Sequence, residues 1–121
     1  MNSDMILAIT EQEQELILGL TQFESAVKQF HRKNYNAAEQ SLKEALGIIK
    51  KANQEQSLGY CFILTRLAYT CYMSRKYAES EKYFRVCNEL VPRVTKNPVN
   101  LFNAKRNLLT LYTYSDIGKA Q

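Results

Sequence analysis

The sequence predicts an all-α protein, a right-handed α-solenoid of about two and a half helix-turn-helix repeats with five helices. The first reason is an internal period of 42 residues, which separates the aromatic side chains of Phe30, Tyr72 and Tyr114. A fixed period in this range is typical of stacked-repeat proteins. The same offset aligns Ala26 with Ala68 and Thr110, Tyr35 with Tyr77, Glu39 with Glu81, Leu42 with Phe84, and Ala45 with Cys87.

Composition is the second reason. The chain has 121 residues, of which 45% are hydrophobic and 23% charged, so it can form one small domain with a hydrophobic core. It contains four glycines and two prolines, and no alternating apolar and polar run that would indicate a strand. There is no apolar run of membrane-spanning length, and Asp4 stands where a signal peptide would carry basic residues. The predicted location is therefore the cytoplasm.

The first helix is predicted from Ile9 or Thr10 to Arg32. Thr10 and Glu13 have the spacing of a capping box, which satisfies backbone amides at a helix start. Asn34 is predicted to end the helix in a left-handed conformation. The apolar stripe of this helix steps by three and four residues through Leu16, Leu20, Phe23, Val27 and Phe30.

Four further helices follow from the same periodicity. The second is predicted over residues 35–51 and the third over residues 54–74. The fourth is predicted over residues 77–90, ended by Pro92, because proline lacks the amide hydrogen that a helix interior needs. Residues 92–98 form a long connection, and Pro98 suits the first turn of a fifth helix that ends near Tyr114.

These helices divide the chain into repeats. Residues 1–9 are predicted to be a frayed N-terminus, 10–52 the first repeat, 54–92 the second, and 98–121 the first helix of an incomplete third repeat. The residues after Tyr114 align with the turn of the second repeat and then stop. We therefore expect the chain to be an N-terminal piece of a longer protein.

The second repeat resembles the tetratricopeptide repeat, a helix-turn-helix unit with small residues where its two helices cross. The positions that match in kind are Leu64, Leu67, Ala68, Tyr77, Ser80, Phe84, Cys87 and Pro92. The usual unit has 34 residues, so a period of 42 requires about two additional helical turns. Such lengthened repeats look like those of kinesin light chains and of bacterial regulators that bind signalling peptides.

The first repeat matches less well in its first helix. Ala26, Tyr35, Ala38, Leu42 and Ala45 fit the pattern, whereas Gln22, Ser25 and Gln29 stand where large apolar residues are usual. A helix shifted by one residue, with a turn one residue shorter, would instead place Phe23, Ala26, Val27 and Phe30 on the packing positions.

The resemblance implies a function as a non-enzymatic scaffold or adaptor that binds a peptide or helix of another protein. In this family the first helix of each hairpin faces a concave groove that binds such partners. The corresponding positions here are Leu20, Phe23, Val27, Phe30, Phe62, Thr65, Arg66, Tyr69, Tyr72, Met73, Asn107, Leu111 and Tyr114. The alternative for each aromatic residue is packing between helices, and the shifted register favours that alternative for Phe23 and Phe30.

Two other functions remain open. Self-association as a homodimer would use the outer side of the fifth helix, which lacks a partner in an unfinished stack; the residues concerned are Leu108, Leu109, Tyr112 and Ile117. The net charge of +4 suggests an acidic ligand or nucleic acid as a third class of partner. Most basic pairs lie near predicted helix ends, where they match the helix dipole, so nucleic acid is not the expected partner. The exception is the group Arg93, Lys96, Lys105 and Arg106.

The sequence offers no pattern that indicates enzyme chemistry, a cofactor or a metal. It has no glycine-rich phosphate loop and a single histidine, His31, without a neighbouring nucleophile. The spacing of Cys61, Cys71 and Cys87 matches neither a disulfide framework nor a zinc site, so we expect buried thiols.

Overall fold

The structure is a computed structural model that describes residues 20–52 and 54–114. These residues form five α-helices and no strand, which confirms the all-α prediction. The helices are α1 (Thr21–His31), α2 (Tyr35–Lys51), α3 (Leu58–Met73), α4 (Tyr77–Val94) and α5 (Pro98–Tyr114).

The bounds of α2 and α5 agree with the sequence prediction, but α1 starts later than predicted. Leu20 has an extended backbone, with φ −78° and ψ 122°, and the helix begins only at Thr21. The expectation of one continuous helix from Thr10 is therefore wrong at Leu20. The frayed segment 1–9 and the capping box at Thr10 lie outside the described residues.

Helix α3 also begins later than predicted, because a side-chain cap selects its first residue. The Ser57 hydroxyl accepts a hydrogen bond from the Tyr60 amide at 3.1 Å and donates one to the Gln54 carbonyl at 2.7 Å. Serine in this position satisfies an amide that the first helical turn leaves without a partner. The helix therefore starts at Leu58 rather than at Gln54.

Pro92 does not end α4, which continues to Val94. A proline at this position removes the amide bond to the carbonyl four residues earlier, so other contacts must offset the loss. The extra turn is held by the bond from the Thr95 amide to the Val91 carbonyl, at 3.0 Å, and by the complete burial of Val91. As a result the connection to α5 is shorter than the predicted segment 92–98.

The two hairpin turns repeat the sequence period in their backbone geometry. Lys33 and Arg75 have left-handed φ values of 61° and 63°. The following amides close the same bonds, from Asn34 to the Gln29 carbonyl at 2.9 Å and from Lys76 to the Cys71 carbonyl at 2.8 Å. This is the hydrogen-bond pattern of a Schellman ending. All three pairs of equivalent residues are 42 positions apart.

This geometry corrects two predictions about the first hairpin. The left-handed residue is Lys33, whereas Asn34 caps α2 by accepting a hydrogen bond from the Ala37 amide at 3.5 Å. The turn is as long in the first hairpin as in the second, so the predicted shorter turn is wrong.

The packing that the shifted register predicted is present, because Phe23 and Ala26 are buried in the core and Val27 and Phe30 pack against core clusters. Ser25 is one of the polar residues of α1 that stand where large apolar residues are usual. Its hydroxyl lies 3.3 Å from the Ser41 hydroxyl of α2 and forms a hydrogen bond with it.

The helices pack in the order of the chain, α1 on α2, α2 on α3, α3 on α4 and α4 on α5. The middle helix, α3, is buried along most of its length. One core cluster joins α1, α2 and α3; its fully enclosed members include Ala45, Ile63 and Leu67. Two further clusters join α3, α4 and α5 around Phe84 and Val91. No helix in the described part of the chain is long and apolar enough to cross a membrane.

Candidate functional site

Long side chains connect the helices α1, α3 and α5. The rings of Phe23 in α1 and Phe62 in α3 have centroids 6.0 Å apart, and those of Phe30 and Tyr69 are 5.6 Å apart. Tyr69 also belongs to the core cluster that contains Leu111 of α5. These contacts link α1 with α3, and a shared core cluster links α3 with α5; we refer to these three helices together as one layer.

Five of the predicted groove residues are buried within the packing of this layer. They are Phe23, Thr65, Tyr69, Asn107 and Leu111. The remaining eight have accessible surface: Leu20, Val27, Phe30, Phe62, Arg66 and Tyr72 are partly exposed, and Met73 and Tyr114 are exposed. The predicted role in partner contact therefore fits only the second set.

Thr65 shows why a polar residue type misled the prediction. Its hydroxyl donates to the Cys61 carbonyl at 2.9 Å and lies 3.5 Å from the Cys87 sulfur. The side chain is thus satisfied inside the core and needs no external partner.

In α5 two of the three predicted residues, Asn107 and Leu111, are buried and stand one position away from accessible residues. The buried stripe of this helix is Asn100, Ala104, Asn107 and Leu111. Leu101 and Tyr112, on one side of that stripe, contact α4 residues, so the opposite side faces away from α4. That side carries Asn103, Arg106 and Thr110, all partly exposed. Two asparagines in the buried stripe concealed its position, because asparagine is usually exposed.

The accessible residues of the layer form what we call the arginine surface, defined by Val27, Phe62, Arg66, Met73, Asn103 and Arg106. The Arg66 guanidinium carbon lies 5.7 Å from the Phe23 ring centroid, and that of Arg106 lies 5.3 Å from the Phe102 centroid. Burial lowers the pKa of Arg66, although an arginine at this degree of burial keeps its charge.

The charged residues that α3 and α5 contribute to the arginine surface are all basic, because these two helices contain no Asp or Glu. Arg106 also donates to the Asn103 side-chain oxygen at 3.1 Å, which fixes the guanidinium on the surface. An apolar surface with two positioned guanidinium groups can bind apolar side chains together with a carboxylate.

At the turn end of the helices an aromatic row adjoins this surface. Tyr35, Phe30, Tyr69, Tyr72 and Tyr77 follow one another with ring-centroid distances of 5.4, 5.6, 6.2 and 5.8 Å. Each such pair adds about 0.5–1.5 kcal/mol beyond its area burial. The row joins both hairpins, so its first role is to hold them together.

Between α2 and the second turn, a buried glutamate holds two lysines. The Glu39 carboxylate lies 2.9 Å from the Lys76 Nζ and 2.8 Å from the Lys43 Nζ. Burial alone would raise the pKa of Glu39, but the hydrogen bonds and charges of the two lysines outweigh it, so the net pKa is lowered.

This carboxylate should make stability depend on pH. Because the folded pKa of Glu39 lies below the ordinary value of 4.5, its contribution is present above that pH and is lost as the pH falls further. We expect Glu39→Gln to reduce the free energy of unfolding at neutral pH, with the difference from the unsubstituted protein shrinking in acid. Urea denaturation at several pH values measures this. Glu44→Gln, at an exposed glutamate of the same helix, is the control; an equal effect of both substitutions would contradict the assignment.

The same region contains the one group of potential metal ligands found among the described residues. Ligand atoms of Glu39, Cys71 and Glu79 lie within 4.8 Å of one another. Glu39 is already held by two lysines, and burial raises the pKa of the Cys71 thiol to about 12. In this structure the Glu39 carboxylate is paired with the two lysines, and the Cys71 thiol is protonated at neutral pH.

All three cysteines are buried, as predicted. The pKa of Cys87, like that of Cys71, is raised to about 12 by burial. Cys87 packs at the crossing of α3 and α4, where its sulfur lies 3.7 Å from the Cys61 carbonyl oxygen.

The outer side of α5 carries exposed apolar residues. Of the residues predicted for self-association, Leu109 is 65% exposed, Leu108 packs against the core, and the Tyr112 hydroxyl accepts a hydrogen bond from Arg85 at 2.7 Å. Ile117 lies outside the described residues. The sequence prediction missed Val99 and Phe102, which are 56% and 61% exposed and share the stripe of Leu109. Their spacing of three and seven residues along α5 could have indicated this stripe.

The members of the basic group predicted near the last connection differ in exposure. Arg93, Lys96 and Lys105 are exposed, whereas Arg106 stacks on Phe102 and belongs to the arginine surface.

Comparison with models of known protein families, with curated proteins and with solved structures finds no significant match for this chain.

Proposed function

We propose that this protein is a tetratricopeptide-like solenoid that acts as a protein-interaction adaptor and binds a peptide segment on the arginine surface. The observation that supports this most directly is the pair of arginines, Arg66 of α3 and Arg106 of α5, in a surface that also carries apolar side chains. A helical repeat stack places such a layer on its concave side. The period of 42 residues, repeated in the backbone of both turns, favours this architecture.

The chemistry of the arginine surface indicates the class of peptide. Val27, Phe62 and Met73 offer apolar contact, and the two guanidinium groups suit one or two carboxylates. We therefore propose a partner segment that alternates apolar side chains with Asp or Glu, rather than a nucleic acid.

A selection from a random peptide library on the full chain tests this proposal. We expect enriched peptides to combine acidic and apolar residues. We also expect Arg66→Gln to weaken the affinity of a selected peptide by about 10-fold or more, the usual loss for a hydrogen bond to a charged group. Lys82→Gln, at an exposed lysine of α4, is the matched control. Selection of no peptide, or equal binding by both variants, would overturn the proposal.

Self-association is a second candidate, supported by the exposed stripe of Val99, Phe102 and Leu109 on α5. Contiguous apolar surface of this kind is typical of contact sites between proteins. The double substitution Phe102→Glu and Leu109→Glu should convert a dimer to a monomer. Light scattering over a range of concentrations measures the mass. Val86→Glu, at an exposed valine of α4, should leave the dimer intact, and a monomeric unsubstituted protein at all concentrations would exclude this candidate.

A further inference from the structure

Helix α5 exposes large apolar side chains and buries polar ones. Val99, Phe102 and Leu109 on its outer side are 56%, 61% and 65% exposed. Its buried stripe contains Asn100 and Asn107, each only 1% exposed. The side-chain oxygen of Asn107 is buried without a hydrogen-bond partner. Burying an amide costs free energy, whereas burying a phenylalanine gains it. The fold therefore leaves apolar surface on α5 that a binding partner can bury.

The exposed stripe has the spacing of a helix contact. Phe102 follows Val99 by three residues and Leu109 follows Phe102 by seven, so the three side chains lie along one side of α5. At a rise of about 1.5 Å per residue the stripe extends over about 15 Å, or nearly three helical turns. Helices pack when a row of this kind fits between the side chains of a second helix. A partner helix of about three turns would therefore cover the stripe.

The charges that α5 places beside the stripe are all positive. Lys105 is exposed and lies four residues after Leu101 and seven before Tyr112, on the side of α5 toward α4. On the other side, the Arg106 guanidinium stacks on the Phe102 ring and keeps its charge. Helix α5 contains no Asp or Glu to balance these two cations. A helix that approaches the stripe is therefore attracted if it carries carboxylates beside its apolar residues.

The same charges disfavour a second copy of α5 as the occupant. The midpoint between Phe102 and Leu109 falls between residues 105 and 106. A symmetric contact, either parallel or antiparallel, would therefore bring Lys105 and Arg106 next to their equivalents in the second molecule. Like charges opposed in this way weaken association. A different protein with Asp or Glu at these positions avoids the repulsion.

We propose that the outer side of α5 binds an amphipathic helix of another protein that carries Asp or Glu beside its apolar stripe. The site uses the stripe described for self-association but assigns it a different occupant. It does not use Arg66, so this proposal and the proposed peptide binding on the arginine surface can fail separately.

Selection from a library of helical peptides on the full chain tests this proposal. The library fixes leucine at three positions, spaced by three and seven residues, and randomises the others. We expect the enriched helices to be rich in Asp and Glu. The double substitution Phe102→Ser and Leu109→Ser should weaken their affinity by about 10-fold or more, the usual loss at the centre of an interface. Arg66→Gln should leave it unchanged.

A charge reversal provides the matched comparison. Lys105→Glu should weaken a selected acidic helix by about 3-fold or more, since it replaces attraction by repulsion. It should strengthen binding of the same helix with Lys in place of its acidic residues. Lys50→Glu makes the same change at an exposed lysine of α2, which packs against α1 and α3. Its effect should be smaller, because salt screens distant exposed charges.

Several results would overturn the proposal. They are selection of no helix, enriched helices without an excess of acidic residues, equal effects of the two charge reversals, and loss of binding in Arg66→Gln rather than in the double variant. A stable dimer of the unsubstituted protein that the double substitution dissociates would also overturn it, because a second copy would then occupy the stripe. Sedimentation at several concentrations measures this mass.

Discussion

The substitution Phe84→Ala is expected to lower the free energy of unfolding by about 3–5 kcal/mol, the usual cost of removing a buried phenylalanine. Phe84 is fully buried and packs with Ala68, Tyr69 and Leu111, which belong to α3 and α5. Its removal would leave a cavity among three helices at once. Domains of this size unfold with a free energy of roughly 5–15 kcal/mol, so the loss would be a large share of the total.

Chemical denaturation followed by circular dichroism measures this effect. Val86→Ala is the matched control, since Val86 lies on the same helix but is 40% exposed. We expect it to cost less than about 0.5 kcal/mol. Similar midpoints for the two variants would contradict the assignment of Phe84 to the core.

Enlarging Ala68 should be the second most damaging change. Ala68 is fully buried where α3 meets α4, and its carbonyl accepts a hydrogen bond from the Ser80 hydroxyl at 2.8 Å. That bond requires the two backbones to approach closely. Ala68→Leu adds three carbon atoms at this crossing and should cost about 1–3 kcal/mol, or more if the helices separate.

The same substitution at an exposed alanine separates crowding from helix propensity. Ala78→Leu in α4 should change the unfolding free energy by less than about 0.5 kcal/mol, because leucine and alanine are both good helix formers. Thermal and urea denaturation of both variants give the comparison. Unchanged stability in Ala68→Leu would show that the crossing has more space than the hydrogen bond indicates.

The sequence predicted helix positions best where a strong local signal coincided with the internal period. Tyr35 and Pro98 mark the first residues of α2 and α5 as predicted. The errors came from signals that compete with one another. Pro92 was expected to end α4, but burial of Leu90 and Val91 beside it favours the longer helix. Leu20 fits the apolar stripe of α1, yet its backbone is extended.

The turns show a different limit of sequence reasoning. Left-handed residues are usually glycine or asparagine, so Asn34 was the natural choice. The structure instead uses Lys33 and Arg75, whose side chains carry no signal for that conformation. Only the identical spacing of the two turns, 42 residues apart, could have indicated that they end their helices alike.

The sequence placed the predicted groove residues on α1, α3 and α5 but did not show which of them are accessible. Helical periodicity locates the buried face of a helix only to within about one residue. A shift of one residue determines whether Asn107 or Arg106 is accessible. Burial of Thr65 depends on Cys61 and Cys87, which come from two different helices. Whether a buried hydroxyl finds hydrogen-bond partners of this kind can be seen only in the three-dimensional structure.

Both repeats depend on helix α3 to complete their cores, although the regular spacing of the sequence suggests that each repeat is independent. Its buried residues cover most of its circumference apart from the strip of Phe62, Arg66 and Met73. Ile63 and Leu67 pack with the first hairpin, and Ala68 packs with the second. Neither half of the chain could bury this helix alone. A cut between the hairpins would therefore leave the first fragment without the helix that covers its core. The second fragment would carry a helix with a large exposed apolar surface, although the sequence period suggests two independent units.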